Sequence, residues 1–370
     1  MQKKLLTMAV AGALAVPAVA FAQVTVYGTI DTGIRNISKL ATPTKAPAGT
    51  QTDSVLDVAN NTRTTNRLGF KGSEDLGGGL MANFTMEGQH DSDTGARTLN
   101  FARKTIVGLS KGGNSVDLGR DYTVNFKSQG IYDPMSYTYT GITPSAGTNV
   151  AGTRSNNLVT AGFRFGTGGV RVDYAAGEVL DTTTPSPQKE DRIGFMADFA
   201  FGPATVTGAY STVESTVQTV PTDVNTMNFG GAYTMGALTF RAGWSQTEYK
   251  ATDGSGDKVK TPMLLLGVQY AISPTLNGRF GYYDVNAKAS SPGFADLEFK
   301  TKTFIVAMDY ALSKRTILYV EFDRITLNDN VNSEVLAGTA TATFAGFNGI
   351  GSGNRTDGST GIGVGIMHAF

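Results

Sequence analysis

Full charges recur at every second position along much of this chain. Arg171 and Asp173 interleave with Val170, Val172 and Tyr174, and Arg192 and Asp198 with Ile193, Phe195, Ala197 and Phe199. Arg241 lies between Phe240 and Ala242, and Glu321 and Asp323 alternate with Val320 and Phe322. The reactive groups are few. Cysteine is absent and the only histidines are His90 and His368, so no thiol nucleophile, metal-ligand spacing or nucleophile–base pair can be assembled from the sequence. Asp253-Gly254-Ser255-Gly256-Asp257 lacks the glutamate of a calcium loop and reads as a turn. Gly77-Gly78-Gly79 precedes no helix and is not a phosphate cradle. The residues point to no enzyme, no metal and no cofactor. What remains is charge held at fixed positions, the chemistry by which a pore acts on passing ions.

Period-two alternation is the mark of a strand with two unlike faces. Short turns at Gly166-Thr167-Gly168-Gly169, Gly202-Pro203, Gly236-Ala237, Ser273-Pro274 and Ser313-Lys314-Arg315 alternate with longer polar stretches. The long stretches are read as loops at 178–191, 212–226, 247–260, 286–300 and 328–359. Phe165, Phe201, Tyr233, Tyr270 and Tyr310 each stand on the apolar face just before a short turn, and Tyr174, Tyr210, Trp244, Tyr282 and Phe322 stand on that face near the long loops. Two aromatic rings separated by aliphatic and glycine positions describe the two interfaces of a bilayer. No segment after the N-terminus approaches the roughly 18 unbroken apolar residues of a spanning helix, and charge is only 17%. The expected fold is all-β: a transmembrane antiparallel β-barrel of about 16 strands, with short turns on one rim and long loops on the other.

The ends of the chain agree. Lys3 and Lys4, the apolar stretch from Leu5 to Val19, and Ala20-Phe21-Ala22 form a secretory signal peptide over residues 1–22. Residues 23–370 are then the barrel. Ile362, Val364, Ile366, His368 and Phe370 alternate with small residues, the pattern of a closing strand with its apolar face toward lipid or a neighbouring subunit. Basic and acidic residues are equal in number over the whole chain, so nucleic acid is not an expected partner. Parity places Arg67, Lys71 and Arg63 on the inward face opposite Leu68 and Phe70, and Arg154 and Arg164 opposite Val159, Ala161, Phe163 and Phe165.

The opening Val24-Thr25-Val26-Tyr27-Gly28-Thr29-Ile30-Asp31, the RLGFKG run from Arg67, Val107-Gly108-Leu109, Leu118-Gly119-Arg120 and the closing GIMHAF occur in an order and spacing that span residues 23–370. Together they resemble the general diffusion porins of Gram-negative outer membranes, especially the betaproteobacterial branch. The resemblance implies a homotrimeric barrel in the outer membrane, in contact with outer-membrane lipid and lipopolysaccharide. It also implies a third loop, residues 122–157, folded inward to narrow the pore. By motif, Arg67, Arg103 and Arg154 fall on the pore wall and Asp133 on the facing loop. Lys71 and Lys127 add positive charge. Arg103 and Lys104 are neighbours, and strict alternation would turn one of them outward; with Arg103 inward, Val107 and Leu109 would face the lumen too. Phe370 is implied in barrel closure. The expected function is a water-filled channel for small hydrophilic solutes and ions, preferring anions. A substrate-specific channel with a saturable site and a surface adhesin are the alternatives.

Overall fold

The computed structural model describes residues 24–38, 54–60, 62–95, 100–139, 142–143, 152–177, 191–217, 220–327 and 358–370. The signal peptide expected at 1–22, and most of the stretches 178–191 and 328–359, lie outside the described residues. The strands are β1 (Thr25–Ser38), β2 (Val55–Asn60), β3 (Arg67–Gly77), β4 (Leu80–Gln89), β5 (Lys104–Lys111), β6 (Asn114–Tyr122), β7 (Arg154–Phe165), β8 (Gly168–Ala175) and β9 (Asp191–Phe201). They continue as β10 (Ala204–Val217), β11 (Val220–Met235), β12 (Leu238–Ala251), β13 (Lys258–Ala271), β14 (Leu276–Ser290), β15 (Leu297–Ala311), β16 (Thr316–Leu327) and β17 (Gly358–Ala369). One helix, α1 (Val124–Tyr132), follows β6.

All the strands join one antiparallel sheet, and β1 pairs with β17, so the sheet closes into a barrel without an edge. The first part of β1 pairs with β3 and the rest with β2. These two segments are therefore pieces of one stave, and the ring has 16. Between the pieces the chain leaves the ladder. The Asp31 carboxylate accepts the backbone N–H groups of Arg63 at 2.7 Å and Thr64 at 2.6 Å, and Asn66 Oδ1 accepts that of Asp31 at 2.5 Å. Side chains thus satisfy part of the backbone that the broken ladder releases.

Outward positions are apolar and exposed, among them Val159, Phe163, Ile193, Phe195, Phe229, Phe240, Leu264 and Val306. The aromatic positions expected at the short-turn rim, including Phe165, Phe201, Tyr233, Tyr270 and Tyr310, are exposed on this face. Three of the expected loops are corrected. The stretches 212–226, 247–260 and 286–300 are mostly the arms of long hairpins: Val217 pairs with Val220, Lys250 with Lys258 and Ala289 with Leu297. Their outward positions are polar because the arms stand beyond the apolar band, and backbone pairing does not require an apolar outer face. On the inner side Val213, Val224, Tyr249, Val259 and Ala289 pack together.

The apolar run at Met263 also has a cause. Leu264 and Leu266 face outward, while Met263 and Leu265 face inward and are completely buried. They join Tyr283, Val285, Ile305 and Tyr319 in a core covered by Tyr132, Met135, Tyr139 and Ile142, which follow β6 in the chain. The described part of the third long connection is therefore folded into the barrel, its Tyr132–Ile142 side chains against β13–β16; residues 140–141 and 144–151 lie outside the described residues.

Closure is completed at Phe370. The Phe370 N–H donates to Gly28 O at 3.1 Å, and Gly28 N–H donates to Phe370 O at 3.2 Å. The Phe370 ring lies over Gly28, where an added Cβ would collide with it. Deleting Phe370, or replacing Gly28→Val, should lower the fraction of heat-modifiable folded barrel in the outer-membrane fraction, with Gly28→Ala milder. Normal yields of both Phe370-deleted and Gly28→Val barrels in unboiled electrophoresis would show that this seam does not control closure.

Candidate functional site

The inner loop is built from its helix outward. Thr123 caps α1, its Oγ1 accepting the Phe126 N–H at 3.4 Å, and Asp173 Oδ2 on β8 accepts the Val124 N–H at 2.9 Å. A carboxylate at this end also complements the helix dipole. The polar face of α1 is tied to the wall. Asn125 donates to Thr226 O and accepts from Arg192, while Ser128 donates to Asn228 Oδ1 at 2.8 Å. Tyr132 then settles over Gly230 and Gly243, where an added Cβ would meet its ring. Only glycine leaves that seat open.

After α1 the chain turns sharply. Ser136, Tyr137 and Tyr139 have positive φ of 54°, 53° and 59°, a region side chains seldom adopt. Their surroundings hold them there. Asp133 Oδ2 accepts the Tyr137 N–H at 2.8 Å, and Tyr283 donates its hydroxyl to Asp133 Oδ1 at 3.0 Å. Tyr139 donates its N–H to Arg63 O at 2.5 Å and its hydroxyl to Asp309 Oδ1 at 2.8 Å. Asp309 in turn pairs with Arg63 and Arg279. Asp133 is therefore on the inner loop, with its carboxylate buried against the wall and only 2% exposed.

A second cluster lines β3–β7, reaching the side of the ring opposite β11, against which α1 packs. At its centre is Glu87. It accepts from Arg103 Nε at 2.7 Å and from the Tyr27 hydroxyl at 3.1 Å, and lies 4.0 Å from Arg67. Lys71 stands 5.3 Å from the Tyr27 ring centroid. The Tyr122 hydroxyl receives hydrogen bonds from Arg103 at 3.0 Å and Arg154 at 2.7 Å. The Arg154 guanidinium also lies 4.3 Å from the Tyr122 ring centroid, a cation–π contact. Tyr122 stacks on Phe126 of α1, and Phe126 on Tyr137, which joins this wall to the loop. Lys127 and Lys104 share Asp121, at 2.9 and 3.3 Å. Six cations, Arg67, Lys71, Arg103, Lys104, Lys127 and Arg154, are thus interleaved with two carboxylates, Glu87 and Asp121.

Parity alone misleads at Arg103. Val107 and Leu109 are outward and exposed, yet Arg103 and Lys104 both reach inward partners. Arg103 precedes β5, so the alternation of that strand does not bind it. Arg164 pairs with Asp198, and Arg63 is buried against Asp309, so neither belongs to the β3–β7 cluster. Tyr27, Tyr122 and Asp121 are the members that motif reading leaves unassigned to the wall. The inward parity of Tyr27 is legible in the sequence, whereas a bulge between Gly119 and Asp121 interrupts it ahead of Tyr122.

A model of Gram-negative porins matches residues 7–330. The chain belongs to the Gram-negative porin family. This porin is 30% identical over 386 aligned positions to outer membrane porin protein 32 of Delftia acidovorans, with 100% of each chain covered. It is 26% identical to an outer membrane porin protein of Bordetella pertussis over 83% of this chain and 81% of that one. A solved anion-selective porin from Comamonas acidovorans matches with a TM-score of 0.75 at 26% identity, over 94% of this chain and 100% of that one. The porin is therefore a multi-pass outer-membrane β-barrel that forms a channel, and its relatives are channel proteins rather than enzymes.

Burial pushes the Asp133 carboxyl up to about 6, against the hydrogen bonds from Tyr137 and Tyr283 and the charge of Arg241, which pull it down. A raised carboxyl contributes stability that is fully present below its unfolded value of about 4 and lost as pH rises through the folded one. Wild type should therefore lose heat stability relative to Asp133→Asn between pH 4 and pH 7, by an amount on the order of 3 kcal/mol at most. Paired thermal unfolding curves in detergent across this range check it; a constant difference would place the titration elsewhere.

Proposed function

We propose that the porin passes small hydrophilic solutes and ions by passive diffusion and prefers anions. On this reading residues 122–157 form the constriction loop, Arg67, Lys71, Arg103 and Arg154 form the wall it narrows against, and Lys127 adds a cation from the loop side. Asp133 serves this constriction from behind, by holding the loop in position. The observation that carries the reading is the excess of cations over carboxylates around Glu87 and Asp121. The anion selectivity of the Comamonas relative supports it. Unit charges about 4 Å apart interact by about 4 kcal/mol at an effective dielectric near 20, so local placement outweighs a balanced whole-chain charge.

Replacing Arg67 and Arg154 together by glutamine should shift the zero-current potential in a salt gradient toward cation preference. The wild-type preference should weaken with ionic strength, since screening acts over about 10 Å at 0.1 M. A reversal potential unmoved by the double replacement would remove these side chains from the pore field. Solute flux linear in concentration separates passive diffusion from a saturable site.

The same reading makes the porin a homotrimer. Val26, Ile30 and Ile34 of β1, Leu56 and Val58 of β2, and Ile362, Val364 and Ile366 of β17 form an exposed aliphatic patch on adjoining strands. Aromatic girdle residues are sparse there, as suits a face turned to another protein instead of the lipid interface. Unboiled protein should migrate as a heat-dissociable oligomer, and sedimentation in mild detergent should give three copies. Monomer alone would overturn the assignment.

A further inference from the structure

Helix α1 has two unlike faces. Val124, Asn125, Ser128, Gln129 and Tyr132 are buried, and the helix packs on β9–β12. Phe126, Lys127, Gly130 and Ile131 recur at the complementary helical spacing and stay partly exposed inside the barrel. Tyr137, also partly exposed, lies beside Gly130, where an added Cβ would stand 2.8 Å from its ring. Its hydroxyl donates to Phe126 O at 2.5 Å and ties the turn back onto the helix. The lumenal side of the described loop is therefore mainly aromatic and aliphatic, and its one cation, Lys127, is held by Asp121.

The rings form one continuous stack. The centroids of Tyr122 and Phe126 are 4.7 Å apart at an interplanar angle of 8°, and those of Phe126 and Tyr137 are 4.1 Å apart at 7°. The Arg154 guanidinium lies over Tyr122 as well. With their faces engaged in this way, the rings turn their edges to the pore, and an edge is the positive part of an aromatic quadrupole. No acid on the loop opposes the wall. Asp133 is the one carboxylate residue between positions 122 and 157. It is buried, and its two oxygens accept from the Tyr137 N–H and the Tyr283 hydroxyl. A solute passing between loop and wall thus meets guanidinium groups on the β3–β7 side and apolar ring edges on the other. Sites for organic ligands share this make-up, a mostly apolar lining with a few fixed polar groups that orient the guest.

We propose that the pore favours amphiphilic monoanions, arene carboxylates above all, with the carboxylate on Arg67 and Arg154 and the ring against the edges of Phe126 and Tyr137. The proposal rests on the reading of the β3–β7 wall as the anion-preferring side of the constriction, and adds the class of anion. A halide has no apolar body to offer the loop. A polyhydroxylated acid has to give up water from its hydroxyl groups against the rings. An arene ring laid face-on to the exposed edges gains the edge-to-face arrangement instead. The contact is one-sided, so it biases passage and does not make a saturable site.

The test uses the folded porin in planar bilayers at neutral pH, with benzoate and threonate as probes; both are singly charged carboxylates of similar size. Reversal potentials are read with the potassium salt of one acid on each side. Relative to their mobilities in water, wild type should pass benzoate over threonate by about three- to tenfold, the range an aromatic pair supplies. Phe126→Gln should bring the ratio close to that of the mobilities. Phe126→Leu, which keeps an apolar side chain without the ring, should give an intermediate value. Heat-modifiable migration of each variant confirms its barrel. A wild-type ratio equal to that of the mobilities, with chloride still preferred over potassium, would overturn the amphiphile proposal and leave the anion reading intact. A folded Phe126→Gln barrel with the wild-type ratio would also overturn it. A wild type without chloride preference would instead refute the wall assignment, and this proposal with it.

Discussion

Hydrocarbon offers a peptide group no hydrogen-bond partner, so every strand in the bilayer must have a neighbour on both sides. In this porin the constraint falls hardest where β1 meets β17, since that pairing turns a sheet into a ring. Phe370 carries the ladder to its end by exchanging two backbone hydrogen bonds with Gly28. Closure also sets which way each side chain points. A one-residue slip anywhere in the ring would exchange the faces of a strand and drive Arg67 or Glu87 into lipid. The order of the lumen is in this sense inherited from the backbone.

Within the ring, the loop and the wall divide the lumen between two kinds of surface. Beneath the loop the inner wall is largely apolar: Met263, Leu265, Tyr283, Val285 and Ile305 are buried. Asp133 accepts from Tyr283 and from the Tyr137 N–H, while Asp309 accepts from Arg63 and Tyr139. Burial at this contact holds Tyr137 and Tyr139 in positive φ, because the hydrogen bonds around them over-determine the turn. The β3–β7 wall is more open, and its charges are less fully paired. The Arg67 side chain is 28% exposed, against 8% for Arg63.

Period two made the barrel and most of its inward arginines legible in the sequence, since lipid on one side and water on the other impose opposite chemistry on alternate residues. The pattern failed where that contrast is absent. At Met263–Leu266 both faces are apolar because the loop covers the lumenal one. At 212–226 and 247–260 the outer face is polar, and strands that continue into water carry the composition of loops. Arg103 escaped parity by lying just outside its strand. The roles of Glu87 and Tyr122 depend on neighbours across the sheet, and a single strand's alternation carries no record of which residues those are.

The arginines of this lumen share one chemistry and are sorted into two roles by what they touch. Arg35 meets both Glu321 and Asp323, Arg192 lies beside Asp173, and Arg63 and Arg279 share Asp309. Arg35 and Arg192 are largely neutralised where they sit, Arg63 and Arg279 divide one carboxylate, and all four serve mainly to brace staves and loop. Arg154 donates instead to the hydroxyl of Tyr122, a neutral acceptor, which Arg103 shares while its Nε pairs with Glu87. Such a partner fixes the direction of a guanidinium without removing its charge. Arg67 is similarly oriented by the Thr65 carbonyl and the Thr64 hydroxyl, with Glu87 only at 4.0 Å and already bound to Arg103. Neutral acceptors let the wall be both ordered and charged. On the proposed reading, an ion passing Arg67 and Arg154 meets fixed donors that do not have to leave a carboxylate first, and preorganisation of this kind keeps the interaction strong without the cost of rearrangement.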